Sequence, residues 1–315
     1  MKIVISILFF IGFLITGMIA TDQTSAESEV FRLYFLGGQS NMAGHGLVRE
    51  LPDSLLSVDV DIWIFDGNPT GDNDDKGGMG KWEHLEPGHG SGFNSDGVKN
   101  MLSHKFGPEL SFAKTIKRLY PDEKIAIIKY AKGGSSIDSL AARTFGCWEI
   151  DFQSGDNQFD YFLKTVNSAL SNLDINDNGI PDQLVPAGIV WMQGESDAII
   201  SEDIPKRYSY NLKRLMDLIR ATFRDDDLPV VIGKISDSGL DNNGKTWPYG
   251  ELVQYAQEEF VRNDKNAAIV RSTKDYQYSD PYHYDTFGYI DLGKNFAEAI
   301  YSLDTLYAPK RVSEH

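Results

Sequence analysis

Val30-Phe31-Arg32-Leu33-Tyr34-Phe35-Leu36 runs directly into Gly37-Gly38-Gln39-Ser40-Asn41-Met42-Ala43-Gly44. The first seven residues are mostly β-branched, aromatic or aliphatic, which reads as a buried strand. The glycine pair lets the backbone turn sharply, and Ser40 then opens a short helix, where backbone N–H groups and the helix dipole favour negative charge. A serine so placed is either a nucleophile whose attack creates an oxyanion or a helix cap, and this segment alone leaves both open.

The same alternation continues downstream. Strands are predicted at Val30 to Leu36, Val60 to Phe65, Lys124 to Tyr130, Val185 to Met192, Leu228 to Ile235 and Ala267 to Arg271. Between and after them lie stretches of helical period at Pro108 to Leu119, Phe159 to Leu173, Pro205 to Phe223, Tyr249 to Asn263 and Phe287 to Leu303. In the third, Tyr208, Leu212, Leu215, Met216, Ile219 and Phe223 recur along one face. The pattern predicts an α/β fold of three α/β/α layers around a mainly parallel sheet of about five strands, built as one domain over 27–315. From Asp66 to Lys105 the chain is rich in Gly, Asp, Asn and His without periodicity, an unusually long loop. Trp82, His84, His89 and Phe93 within it are candidates to line a cleft, with surface decoration as the alternative.

The 315 residues carry 30 Lys+Arg against 46 Asp+Glu, a formal net charge of −16. So acidic a surface repels phosphate backbones and anionic lipid, which argues against nucleic acid as a partner. The single cysteine, Cys147, excludes an intrachain disulfide and any multi-cysteine metal site. At the N-terminus, Met1-Lys2 precedes an apolar run from Ile3 to Ala20 and a polar stretch from Thr21 to Glu29, which reads as a secretory signal. A cut after Ala26, with Thr24 at minus three, gives a signal of 1–26, and a cut after Ala20 is the alternative. Either predicts a protein secreted to the periplasm or beyond the cell. It meets a membrane only if the segment stays uncleaved as an anchor.

In a parallel α/β sheet, ligands gather beyond the carboxyl ends of the strands. After the third strand come Gly133 and Gly134, which offer exposed N–H donors or simply make a turn. After the fourth come Gln193-Gly194-Glu195-Ser196-Asp197, polar side chains directly behind a buried run. Gln193 has an amide suited to an oxyanion, and a buried Glu195 either serves the site or ties loops together. Before the last helix stands Asp280-Pro281-Tyr282-His283, where a carboxylate three residues before a histidine can fix its tautomer. Of six histidines, His283 alone has both a nearby carboxylate and a following helix to hold it.

The runs GGQSNMAGHG (37–46), FGPE (106–109), KYAKGGSS (129–136), WMQGESD (191–197) and DPYH (280–283), in this order, resemble the SGNH hydrolase superfamily. Within it they are similar to the sialate O-acetylesterase and acetylxylan esterase branch, carbohydrate esterase family six. The resemblance spans about residues 30 to 303. It implies a serine esterase that removes O-acetyl groups from sugars and needs no cofactor. Ser40 would be the nucleophile, His283 the general base and Asp280 its orienting acid. The oxyanion hole would draw on the Ser40 N–H, an N–H of the glycine pair, at Gly134, and the Gln193 side chain, with Gly133, Asn41 and Glu195 in support. Pro281 departs from the small residue expected there; it fixes φ and removes a donor, which bears on the loop and not on the chemistry. The implied substrate is an acetylated poly- or oligosaccharide. The acidic net charge tilts the choice toward neutral acetylxylan over sialylated glycans. The rivals are a catalytically silent carbohydrate-binding protein on the same fold and a lipid or thioester hydrolase of the same superfamily.

Asp174-Ile175-Asn176-Asp177-Asn178-Gly179-Ile180-Pro181-Asp182 fits the first part of an EF-hand-like loop, with Val185 where the bidentate Glu would stand. It reads as an Asn/Asp-rich turn or as a structural calcium site formed by Asp174, Asn176, Asn178 and Asp182, remote from catalysis.

Overall fold

The computed structural model describes residues 27–70 and 74–311. The predicted signal segment lies outside the described residues. Seven strands form the main sheet: β1 Val30–Gly38, β2 Ile62–Asp66, β3 Glu83–His84, β4 Lys124–Ala131, β5 Gln183–Met192, β6 Val230–Gly233 and β7 Ala267–Val270. Their order is β7-β6-β5-β1-β4-β2-β3, and every pairing is parallel except β2 with β3. All six predicted strands join the sheet, which was expected to hold about five, and the seventh is β3, two residues inside the long loop and too short to show alternation.

Besides a single turn of helix at Asp53–Leu56, the helices are α1 Ser40–Ala43, α2 Glu109–Leu119, α3 Gln158–Ser171, α4 Pro205–Thr222, α5 Gly250–Asn263 and α6 Thr286–Arg311. Successive side chains of β1 point to opposite faces and show the layering. Tyr34 packs edge-on against Phe112 of α2, with ring centroids 5.2 Å apart. Phe35 packs on the other face against Phe162 of α3 and against Phe223, just beyond α4. Helix α6 lies with α2 and α5 with α4, which completes three layers. Strand β4 runs through the centre with Ile125 to Ile128 all inaccessible, as a parallel strand covered on both faces must be. The predicted apolar face of α4 is buried as a unit.

Strand β1 sits between β4 and β5, and the chain leaves β1 toward β2 and β3 but leaves its neighbour β5 the opposite way, toward β6 and β7. Such a switch point opens a crevice beyond the carboxyl ends of the strands. Here the registers Gly38↔Ala131 and Gly38↔Met192 bring three strand ends level.

The long loop is built, not loose. Trp82 is buried and its indole N–H donates to Ala169 O at 3.0 Å, and His84 pairs with Trp63 across β2 and β3. Among the four candidates of that loop, Trp82 therefore belongs to the core. At the opposite, amino ends of the strands, the Asp174–Asp182 loop closes on itself. Asp174 accepts from the N–H groups of Asn178 and Gly179, and Asp182 from those of Ile175 and Glu29.

At Gly38 the φ angle is positive and a Cβ would stand 2.0 Å from the carbonyl oxygen of Met192. Gly38→Ala is expected to cost at least about 1–3 kcal/mol, because backbone must move to admit the methyl group. A urea midpoint equal to that of the wild type would contradict the β1–β5 register.

Candidate active site

The strand ends meet in a cleft of about 640 Å³ lined by Gln39, Ser40, His45, Gly133, Gly134, Arg143, Phe145, Ser196, Ile199, Thr246, Trp247, Tyr282 and His283. The size is typical of a small-molecule pocket. Ser40 is 9% exposed. The turn that presents it is fixed by Gln39 N–H donating to Met192 O at 2.9 Å. As the first residue of a helix, Ser40 has no helical acceptor for its N–H.

The glycine corner after β4 stands over this serine: a Cβ on Gly133 would be 3.5 Å from that of Ser40. Gly134 has a φ of +77°, and a side chain there would strike Phe145. Its carbonyl is held by Ser196 Oγ at 2.8 Å and Arg143 Nη2 at 3.1 Å, which sets the orientation of the corner. Among the described residues the N–H groups of Ser40, Gly133 and Gly134 have no protein acceptor. They are free to meet a ligand oxygen.

His283 enters from the loop before α6. Its Nδ1 lies 2.8 Å from Asp280 Oδ2. The other carboxylate oxygen, Oδ1, accepts from the N–H groups of Tyr282 and His283, so one short turn holds acid and imidazole together. Pro281 is compatible with this turn, since the donors come from the two residues after it. Burial acts to raise the Asp280 carboxyl, but the hydrogen bond from His283 and the backbone N–H groups outweigh it and hold it below its ordinary value. With Nδ1 donating to a carboxylate, Nε2 is left as the basic nitrogen.

Asn41 joins the two halves. Its Nδ2 donates to Glu195 Oε1 at 2.8 Å and to Tyr282 O at 3.2 Å, and its Oδ1 accepts from Tyr289. The second oxygen of Glu195 is buried without a partner, and burial raises this carboxyl above its ordinary value. Glu195 thus ties loops together beneath the cleft, the plainer of its two predicted roles.

Gln193, expected as a third oxyanion donor, is placed elsewhere. It is fully buried and does not line the cleft. Its amide donates to Asp197 Oδ2 at 2.7 Å, to Ser135 O and to Gln39 Oε1. The side chain thereby braces the residue before Ser40 and the residue after Gly134. A tight carboxylate partner at i+4 outcompetes the cleft, and this is not visible from the motif alone.

His45, Arg143, Phe145, Trp247 and Tyr282 also line the cleft, and their roles escaped the sequence reading. His45 stacks flat on His283, with ring centroids 3.6 Å apart and planes 5° from parallel. Only its place in the motif five residues after Ser40 hinted at this. Of the long loop, His89 and Phe93 line an adjoining cavity that shares His45, Gly133 and Phe145 with the cleft. Ligand atoms of His45, Asp280 and His283 lie within 4.8 Å of one another. Parallel rings aim their nitrogens side by side instead of at a common point, and His45 Nδ1 faces the Lys105 ammonium at 3.1 Å. The trio does not suit a tetrahedral cation.

A family model described as carbohydrate esterase, sialic acid-specific acetylesterase, matches residues 30–302. The chain belongs to this family of carbohydrate esterases. The fold of the esterase is shared with solved structures of low sequence identity. A protein from Arabidopsis thaliana aligns with a TM-score of 0.59 at 20% identity, over 86% of the esterase and 98% of that chain. NanS aligns with a TM-score of 0.57 at 16% identity, over 89% and 99%. A carbohydrate acetylesterase from Xanthomonas citri aligns with a TM-score of 0.55 at 15% identity, over 85% of the esterase and 55% of that chain. No curated protein matches the esterase significantly.

Burial pushes the Asp197 carboxyl up to about 7, against the hydrogen bonds it accepts from Gln193, Ile137 and Asp138. An unfolded aspartate titrates near about 3.9, so the stability tied to neutral Asp197 is fully present below that value and is lost as pH rises through about 7. Melting temperature is expected to fall across this window, and Asp197→Asn to flatten that slope. An equal slope in both proteins would show that Asp197 is ionised throughout.

Proposed function

We propose that the protein removes O-acetyl groups from carbohydrate through Ser40, His283 and Asp280. The observation that carries this reading is the single cleft in which Ser40, a histidine fixed by a carboxylate and three unengaged N–H groups converge. His283 Nε2 takes the Ser40 proton as Oγ attacks the acetyl carbonyl carbon, and the carbonyl oxygen becomes an oxyanion beside the N–H groups of Ser40 and Gly134. His283 then returns the proton to the departing sugar oxygen, leaving an acetyl-enzyme. Water, deprotonated by the same imidazole, releases acetate and restores the serine. Asp280 keeps Nδ1 as a donor throughout. Gln193 acts one step back, by bracing Gln39 and Ser135.

No step calls on a metal or an organic cofactor. The Asp174–Asp182 loop is remote from the cleft, so calcium bound there would serve stability alone. Export follows from the predicted signal at 1–26, and no helix among the described residues is long and apolar enough to cross a membrane.

For the sugar, net charge favours acetylxylan, whereas the cleft favours an acidic glycan such as an O-acetylated sialic acid. Arg143 lines the cleft and Lys132 the adjoining cavity, and neither forms an ion pair among the described residues. Arg143 feels the Asp197 charge without a salt bridge to it, and two such cations in so acidic a chain suit a sugar carboxylate.

Acetate release from acetylxylan and from O-acetylated sialic acid tests both levels. Ser40→Ala is expected to reduce release by about 10³-fold or more on either substrate, and a chelator to leave it unchanged. Release by Ser40→Ala at the wild-type rate would overturn the mechanism. Absence of release by the wild type from both would favour the binding-protein reading, and equal rates on long acyl esters the lipase reading. Arg143→Gln is expected to raise KM for the acidic sugar about 10-fold more than for acetylxylan, the worth of one charge-assisted hydrogen bond, while loss of the bond to the Gly134 carbonyl lowers kcat on both substrates alike.

A further inference from the structure

The hydrogen bond that His283 Nδ1 donates to Asp280 fixes one edge of the ring and leaves the tilt of its plane less firmly set. The loop that carries both is open to solvent, with the Asp280 side chain 43% exposed and Tyr282 52% exposed. A second contact is needed to define the plane of the imidazole, and His45 supplies it across a whole ring face. Tyr282 meets the ring only edge-on, with centroids 6.2 Å apart.

His45 is itself held from two sides. The short antiparallel pair Gly46–Leu47 with Lys105–Phe106 places Lys105 next to it, through the register Leu47↔Lys105. The Lys105 ammonium can only donate, so His45 Nδ1 must be the acceptor and Nε2 must carry the proton. Burial, together with the charges of His283 and Lys105, pushes His45 down to about 3. The ring stacked on His283 is therefore a neutral one, held in place by Lys105.

We infer that His45, clamped by Lys105, is a positioning residue that sets the plane of the His283 imidazole. The inference rests on His283 acting as the general base of Ser40. Its mark is a loss in the chemical step without a loss in substrate binding, since a ring misplaced by about 1 Å can cost about 10²-fold.

The experiment compares His45→Ala and His45→Phe with the wild type, using 4-nitrophenyl acetate, with Ser40→Ala and His283→Ala as references and thermal melts as the control for folding. His45→Ala is expected to lower kcat about 10- to 100-fold with KM nearly unchanged. His45→Phe, which restores a flat ring without the Lys105 acceptor, is expected to recover most of that loss. Should the alanine variant fail to fold, His45→Leu takes its place as the apolar side chain without a ring. Wild-type kcat in His45→Ala, or a phenylalanine variant no better than alanine, overturns the inference. So does a change confined to KM, which would make His45 a substrate contact. Full activity in Ser40→Ala or His283→Ala would instead overturn the mechanism on which the inference rests.

Discussion

One ammonium group organises the floor of the cavity that adjoins the cleft. Lys129, on β4, is 2% exposed, and its Nζ donates to Ala43 O at 3.0 Å, to His89 O at 2.5 Å and to Glu109 Oε2 at 2.9 Å. Three protons meet three acceptors, which is the condition under which a buried charge is tolerated. Those acceptors belong to the end of the Ser40 helix, to the long loop and to the first turn of α2. The FGPE and KYAKGGSS runs thereby acquire a reason: Glu109 and Lys129 are the two halves of this pair, and Glu109 Oε1 also accepts from Gly107 N–H. Removing one partner of such a pair typically costs about 3–5 kcal/mol, because the other is left charged and dry.

The pair also explains why the segment between Asp66 and Lys105 holds its course with little regular structure. His89 gives its carbonyl to Lys129 and sets its ring against Asp66 at 3.2 Å, so one residue anchors the loop twice. Polar anchoring of this kind leaves no periodic apolar trace. That is why the segment read as featureless in the sequence, whereas the strands, which depend on burial of β-branched runs, were located to within a few residues.

The same contrast runs through the site. Ser40, Asp280 and His283 were legible because each follows from a local rule: a glycine turn after a strand, and a carboxylate three residues before a histidine. Their convergence followed from the general placement of sites at the carboxyl ends of parallel strands. His45 and Arg143 were not legible, since what they do depends on segments that meet only after folding. His45 stacks on a residue more than two hundred positions away, and Arg143 bonds the Gly134 carbonyl from a left-handed turn at φ +48°. Gln193 shows the reverse case, where a motif position was correct and its neighbour Asp197 decided where the amide points. Net charge has a related limit. A sum over the chain carries no information on where the cations sit, and the field within a cleft is set by the few charges nearest to it.

Cys147 stands between two backbone bridges, paired in parallel fashion with Ser136 on one side and Asn157 on the other. It is fully buried, and its Sγ accepts from Glu149 N–H. Burial pushes the thiol up to about 12. Only the thiolate attacks disulfides, peroxides or alkylating agents, so this sulfur is kept out of redox chemistry by its surroundings. The folded protein therefore has no thiol with which to cross-link to a second copy or to form a mixed disulfide with glutathione. In an oxidising milieu its integrity rests on packing, hydrogen bonds and ion pairs.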